Sequence, residues 1–277
     1  MGRRVLVFFS VFWAAILAFV ARDDDVQAGY VAYAMMLAIF PFLIFAVSLT
    51  GLIVGEEQSA RAVQVLFDLA PEYLAEVLAP VLAEVLGQSH SLFTLFIVLA
   101  LWAAMRAVEA INKSFDRIYG ERRGAVWFLR KGKAFVAVIG ASLVAVVLGL
   151  SILFAPVLIN LVEAFTAVEL PKNLLITRYA VGISVFYCFL FSLHWFLPNS
   201  HARGFTIWPG ALISTILWVT MATGMSIYLA FAGSYTVTYG ALAGIVITLL
   251  FLYFSGGIII FGAEFNAALK QHKEGQS

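Results

Sequence analysis

The sequence predicts an all-α integral membrane protein with six transmembrane helices, and three observations lead to this prediction. Apolar residues make up 63% of the 277 residues and charged residues only 12%, about half of the roughly 25% that soluble proteins carry. Several uncharged stretches approach or exceed the ~18 to 20 apolar residues that a helix needs to cross a bilayer. The charges are segregated by loop, so the net charge of +1 indicates nothing about partners.

The chain opens with an apolar run over residues 5–21, preceded by Arg3 and Arg4. At ~1.5 Å per residue this run covers about 26 Å, less than the ~30 Å of the hydrocarbon core. It resembles a signal peptide, but acidic residues follow it at once and no small-x-small cleavage site precedes them. We therefore predict a retained helix over residues 1–22, either a marginal span or a helix at the interface.

Three consecutive acids, Asp23, Asp24 and Asp25, follow this helix. Carboxylates suit hard cations, but acids at a helix start also cap it and interact favourably with its dipole. We favour a helix cap with solvated acids over a metal site.

Residues 30–54 form the first convincing span, with Pro41 near its middle, where the lost hydrogen bond predicts a kink. Residues 56–87 follow and are too polar to span, because six acids stand against Arg61 between residues 55 and 90, a net charge of −5. From Leu74 onward, apolar residues recur at three-and-four spacing opposite glutamates. This pattern predicts an amphipathic helical segment.

The second span, residues 92–112, leads into the most basic loop of the chain. Between residues 113 and 133, seven Lys and Arg residues stand against Asp116 and Glu121, a net charge of +5. The positive-inside rule places this loop in the cytoplasm and segment 56–87 in the periplasm. Both ends of residues 1–22 then lie on the cytoplasmic face, so the interfacial interpretation is favoured. The remaining spans are 134–161, 174–197, 208–232 and 241–269, which leaves both termini in the cytoplasm.

Four stretches carry a resemblance to a known family. They read AYAMMLAIFPFLIFAVSLTG (32–51), W…AINKSFDRIYGERR (102–123), WPGALISTILWV (208–219) and GSYTVTYGALAGIVITLLFLYFSGGIIIFGAEFNAAL (233–269). Together they resemble the YihY/BrkB family of bacterial inner-membrane proteins, formerly labelled ribonuclease BN in error. The resemblance implies a multi-pass protein of the inner membrane and a link to envelope biology, including lipid export. It implies no catalytic residues.

Ionisable residues continue from the second span into the basic loop at helical spacing. Charged groups inside a bilayer cost ~2.5 to 3.5 kcal/mol each on insertion scales, so they mark a polar cavity by default. The alternative is a salt bridge that joins two helices, or an Arg106 side chain that reaches back to the interface. Glu264 and Asn266 lie at similar depth in the last span and are possible partners of Arg106. The cavity candidates are Arg106, Glu109, Asn112, Lys113, Asp116, Glu264 and Asn266.

Several other residues have both a structural and a functional interpretation. Tyr33, Tyr235 and Tyr239, with the Pro41 kink, are gating candidates, although interfacial anchors are commoner. His194 is interpreted as a hydrogen-bonded structural residue, and Cys188, the single cysteine, as a small buried hydrophobe. No catalytic triad, zinc, nucleotide or dinucleotide motif is present, so we predict no cofactor, no metal and no catalytic residues.

Three function classes follow. A transporter or flippase for a lipid or other amphiphilic envelope component is favoured, with membrane lipids as partners. The alternative is a structural or assembly protein that docks a second copy or a periplasmic partner through segment 56–87. A ribonuclease is least expected, because phosphodiester hydrolysis needs clustered metal-binding side chains and positive-inside topology already explains the basic loop. We therefore expect no nucleic-acid partner.

Overall fold

The computed structural model describes residues 2–54, 91–120, 127–144, 173–198, 206–231 and 241–274. All regular structure within these residues is α-helical. We number the helices in chain order: α1 (Gly2–Ala21), α2 (Asp24–Val54), α3 (Ser91–Ile118), α4 (127–144), α5 (Asn173–Phe196), α6 (Trp208–Phe231) and α7 (Ala241–Glu274). The predicted periplasmic segment 56–87 lies outside the described residues.

Helix ends follow local chemistry. Asp23 separates α1 from α2 with a left-handed φ of 54°, and its carbonyl accepts hydrogen bonds from the first turn of α2. α3 continues six residues past the predicted span, to Ile118. Gly120 follows with a φ of 79°, and its N–H bonds to the Arg117 carbonyl, which forms a glycine cap. α6 starts at Trp208, directly before Pro209. The first turn of a helix tolerates proline, because a backbone N–H at that position would have no partner within the helix.

The chain divides into two compact units. Unit 1 comprises Met1–Arg22, Asn112–Leu217 and Ile259–Ser277, and unit 2 comprises Asp23–Ile111 and Trp218–Ile258. In unit 2, α7 packs on α2 where Gly256 lies beside Val31, and Trp218 donates a hydrogen bond to Ser255 at 3.0 Å. In unit 1, Lys133 of α4 donates to the carbonyls of Leu197 and Pro198, at 3.1 and 3.0 Å, and so satisfies carbonyls at the end of α5.

The distribution of side chains is the reverse of a soluble protein. Large apolar and aromatic side chains are exposed on every helix whose side chains are described, whereas several polar side chains are buried. Exposed hydroxyls on these helices bond to a carbonyl three or four residues earlier, as Ser142, Ser184 and Thr223 do. This arrangement satisfies polar groups where lipid offers no partner. The described fold is therefore that of a helical membrane protein.

By length and composition, two described helices are able to cross a membrane, through Trp208–Leu229 of α6 and Gly244–Glu274 of α7. The number rises to three if Leu6–Ala21 and Asp24–Ile39 count together as one bent span. The six-span arrangement remains a prediction.

Two expectations from the sequence were wrong. Cys188 is exposed rather than buried, because in a membrane helix an apolar neighbourhood in sequence is as often lipid-facing as internal. Asp24 is fully buried rather than solvated, while its neighbour Asp25 is exposed as expected. The pattern of three acids could not indicate which of them the fold would cover.

Helices α6 and α7 come into close backbone contact at two glycines. A Cβ on Gly210 would overlap the Gly262 carbonyl oxygen and the Asn266 side chain, and a Cβ on Gly262 would overlap the Ser214 hydroxyl. The same added atom at Gly262 would lie 2.8 Å from Nε2 of His194. Only glycine permits this backbone-to-backbone contact, as at other close helix crossings in membranes.

We expect Gly210→Ala and Gly262→Ala to destabilise the protein by about 1–3 kcal/mol each, because the added methyl group overpacks the contact. Thermal unfolding in detergent, followed by loss of monodisperse protein, would measure this. Gly224→Ala on α6 is the control, since nothing lies within 4 Å of its added Cβ. Equal melting temperatures for all three variants would contradict the close contact.

Candidate functional site

A buried ion pair joins the end of α1 to α7. Nη1 of Arg22 lies 2.6 Å from both carboxylate oxygens of Glu264. The Glu264 side chain is 1% exposed and that of Arg22 is 31% exposed. Burying a carboxylate costs several kcal/mol unless it is paired and hydrogen-bonded, so Arg22 compensates the charge that Glu264 brings into the protein.

Asn266, two residues further along α7, is the hydrogen-bonding centre of the same region. Its Oδ1 accepts from the backbone N–H of Gly210 at 2.7 Å, and its Nδ2 donates to the Ile207 carbonyl at 3.2 Å and to the Tyr119 hydroxyl at 3.3 Å. The Gly210 N–H lies in the first turn of α6, where helical N–H groups have no partner within the helix. Asn266 therefore caps α6 from a neighbouring helix.

Tyr119 follows the last residue of α3 and is buried. Burial raises the pKa of the Tyr119 phenol well above its usual value of 10.0, and the nearby Glu264 carboxylate raises it further, while the hydrogen bond from Asn266 opposes this in part. The phenol therefore stays neutral across the physiological pH range.

His194 of α5 lies in the same buried region. Its Nδ1 lies 2.9 Å from the Leu190 carbonyl, and its ring packs on Phe115 with the centroids 4.8 Å apart. Its Nε2 faces the α7 backbone beside Gly262. The expectation of a hydrogen-bonded histidine is confirmed. We call Arg22, Tyr119, His194, Gly210, Glu264 and Asn266 the polar cluster.

The residues on the predicted charged face of α3 differ in how far they are buried. Glu109 and Asn112 are buried, whereas Lys113 is exposed, Asp116 is half-buried and Arg106 is 44% exposed. Arg106 lies 3.9 Å from Glu109 and over the Trp102 ring. An ion pair this long, with an exposed partner, contributes little.

Asn112 has the most unusual surroundings of the predicted residues. It is 1% exposed, and within the part of the chain that the structure describes neither its amide oxygen nor its amide nitrogen has a hydrogen-bond partner. The buried hydroxyl of Ser114 likewise has no hydrogen-bond partner among the described residues. Asn112 lies one turn before Phe115 on α3 and seven residues before Tyr119, which follows the helix. Phe115 packs on His194, and Tyr119 is itself part of the polar cluster.

The gating candidates are placed only in part. Tyr33 is exposed on α2, and Pro41 lies within the continuous helix α2. Tyr235 and Tyr239 lie outside the described residues. Across the described ranges, no group of three His, Cys, Asp or Glu side chains is arranged to hold a metal ion.

Sequence reasoning did not identify Arg22 as a site residue. The possible partner named for Glu264 was Arg106, but the ion pair that the structure gives Glu264 is with Arg22. A signal was present, because Arg22 is the first charge after 17 uncharged residues, and an arginine at such a boundary either faces headgroups or finds a buried partner.

We expect Arg22→Ala to cost about 3 kcal/mol of stability, because it leaves the Glu264 charge buried without its partner. Adding Glu264→Gln should restore much of this loss, since the double variant removes both charges. Glu274→Ala is the control, because it removes an exposed i,i+4 pair with Lys270, which contributes under about 1 kcal/mol. Thermal unfolding in detergent measures all of these. An Arg22→Ala protein as stable as this control would show that the pair is not stabilising.

The family comparison accounts for nearly the whole chain. A family model described as "Virulence factor BrkB" matches residues 15–277. No solved structure matches the chain.

Individual relatives agree with this result. The chain is 26% identical to the ribonuclease-like protein YfkH of Bacillus subtilis, over 91% of this chain and 92% of that protein. It is 28% identical to a UPF0761 membrane protein of Chromobacterium violaceum, over 87% of this chain and 57% of that longer protein. It is 25% identical to a UPF0761 membrane protein of Pseudoalteromonas translucida, over 89% and 82% of the two chains. The chain belongs to the YihY/BrkB family of membrane proteins.

Proposed function

We propose that this protein moves a lipid or another amphiphilic envelope component across the bacterial inner membrane, and that Asn112 contacts the polar headgroup. Asn112 is the observation that carries the proposal. Leaving a buried hydrogen-bonding group unmatched costs about 1–3 kcal/mol, and the Asn112 amide presents both a donor and an acceptor without a described protein partner. Such groups are normally satisfied by water or a ligand.

The Asn112 amide can donate to and accept from an uncharged part of a headgroup, such as a hydroxyl or a carbonyl. Arg22 compensates Glu264, and the Tyr119 phenol is neutral. The remaining polar side chains of the cluster are the Asn266 amide and the His194 imidazole. Phospholipids offer ester carbonyls, phosphate oxygens and, in phosphatidylglycerol, hydroxyls to such a group, and their acyl chains match the apolar exterior of the helices.

The proposed orientation has both termini in the cytoplasm, together with the basic residues 113–133, which include the end of α3 and the first turns of α4. It rests on the net charge of +5 in residues 113–133 and on Lys270, His272 and Lys273 at the end of α7. In this orientation the polar cluster lies in the cytoplasmic half of the membrane, where basic side chains attract anionic headgroups. Segment 56–87 then faces the periplasm, and docking of a partner or a second copy there remains a separate proposal based on its sequence pattern.

We expect liposomes containing the protein to move fluorescent phospholipids between leaflets at least tenfold faster than empty liposomes. Chemical quenching of NBD-labelled phosphatidylethanolamine and phosphatidylglycerol in the outer leaflet would measure the rate. Asn112→Leu should abolish the acceleration but leave the melting temperature unchanged or higher, because an apolar side chain of similar volume removes the unmatched amide. Thr223→Val, an exposed hydroxyl bonded within its own helix, is the control and should transport normally.

Two outcomes would contradict this function. If the wild-type rate equals that of empty liposomes for both headgroups, the protein does not move phospholipids. If Asn112→Leu is fully active, Asn112 is not a headgroup contact. Specific RNA cleavage by the purified protein that is lost in Asp116→Ala would instead favour an enzyme, as the name of the B. subtilis relative suggests for that protein.

A further inference from the structure

Helix α1 is apolar on two opposite faces. One face packs on α7, where Val11 and Ala15 are buried with Phe265 and Ala268. Aromatic side chains extend this contact, with ring centroids 5.8 Å apart for Phe8 and Phe265, 5.3 Å for Phe12 and Phe261, and 6.2 Å for Phe19 and Phe261. The contact is internal to unit 1.

The contact residues show that α1 crosses α7 instead of running beside it. Phe8, near one end of α1, contacts Phe265, and Arg22, just past the other end, contacts Glu264. At ~1.5 Å per residue, residues 8–22 of α1 rise about 21 Å, while residues 261–268 of α7 rise only about 11 Å. Two helices packed side by side would pair equal lengths. The long contact on α1 and the short one on α7 require a steep crossing.

The opposite face of α1 carries an unbroken stripe of large side chains. Its members recur every three or four residues and are between 55% and 71% exposed. The only hydroxyl beside it, that of Ser10, bonds to the Val7 carbonyl at 2.9 Å. We define the α1 stripe as Leu6, Phe9, Trp13, Leu17 and Val20.

We infer that α1 lies within one leaflet of the membrane, across α7 and parallel to the bilayer plane, with the α1 stripe covered by lipid acyl chains. Since α7 is long and apolar enough to span, a helix that crosses it steeply lies along the plane of the membrane. The crossing involves the end of α7 that carries Lys270, His272 and Lys273, so the leaflet is the one on that basic side.

The chemistry of α1 favours acyl chains over other occupants. Helices at the headgroup boundary keep a charged face toward water, but between residues 5 and 21 of α1 no residue is charged. Contact with water would expose the stripe at a cost of about 25 cal/mol per Å². Charges stand only beyond the two ends of this stretch, as Arg3 and Arg4 in the sequence and as Arg22, which pairs with Glu264. Thus α1 is sunk beneath the headgroups, which distinguishes it from an ordinary surface helix.

Depth measurements by electron paramagnetic resonance on the full chain in liposomes test this inference. The single native cysteine is first removed as Cys188→Ser, and a spin label is attached at Leu6→Cys, Trp13→Cys or Val20→Cys in separate variants. All three positions are exposed, so labels should leave the packing on α7 intact, which monodisperse elution verifies. Labels at Leu212→Cys, Thr220→Cys and Ile227→Cys on the exposed side of α6 provide a matched spanning control.

We expect the three α1 labels to report nearly one depth, each with high accessibility to oxygen and low accessibility to a water-soluble nickel complex. The α6 labels should differ in depth by up to about 22 Å over fifteen residues. A gradient of about 21 Å across the α1 labels would show a spanning helix and overturn the inference. Nickel accessibility at all three would show a solvated face, and shielding from both reagents would show a protein partner or a second copy; each outcome also overturns it. The phospholipid assay does not depend on this result.

Discussion

The hydrogen bonds of the buried Asn266 side chain are the interaction on which the described part of unit 1 depends. One amide group contacts the start of α6 twice and the hydroxyl of Tyr119 beyond the end of α3. This is possible only because Gly210 has no side chain to separate the two helices. In a bilayer a polar side chain of one helix that is satisfied by two others holds the three in one arrangement, because lipid offers no replacement partner.

The Arg22–Glu264 pair adds a second link at the same place. It connects the end of α1 to Glu264, two residues before Asn266. The end of α1, the start of α6 and the end of α3 therefore all contact one short length of α7. Burying several polar groups together costs free energy of desolvation. The cluster stabilises the fold mainly because its buried groups have hydrogen-bond or ion-pair partners. The Asn112 amide on α3 lies outside this network and has no hydrogen-bond partner among the described residues.

The helix positions were predictable because each depends on local chemistry. Long apolar runs identify helices by themselves, and Pro209 marks the start of α6 through a backbone property that requires no knowledge of neighbours. The end of α3 was not predicted, because the helix continues six residues past residue 112, to Ile118. Charged and polar residues in the last span were recognisable as unusual for the same reason: their cost inside lipid is a property of the residue type. The alternation of basic and acidic loops likewise predicts an orientation without any tertiary contact.

The sequence by itself thus determined the class of the protein, most of its described helices, and the choice of Asn112, Glu264 and Asn266 as residues of interest. Only the tertiary structure decided which groups meet. Arg22 and Glu264 are separated by 242 residues, and no periodicity relates positions so far apart. Burial was equally undetermined, as Cys188 and Asp24 demonstrate, because in lipid an apolar side chain is stable on either face of a helix. The crossing of α1 over α7 also arises from packing, since its two opposite faces are both apolar and only contact distinguishes them.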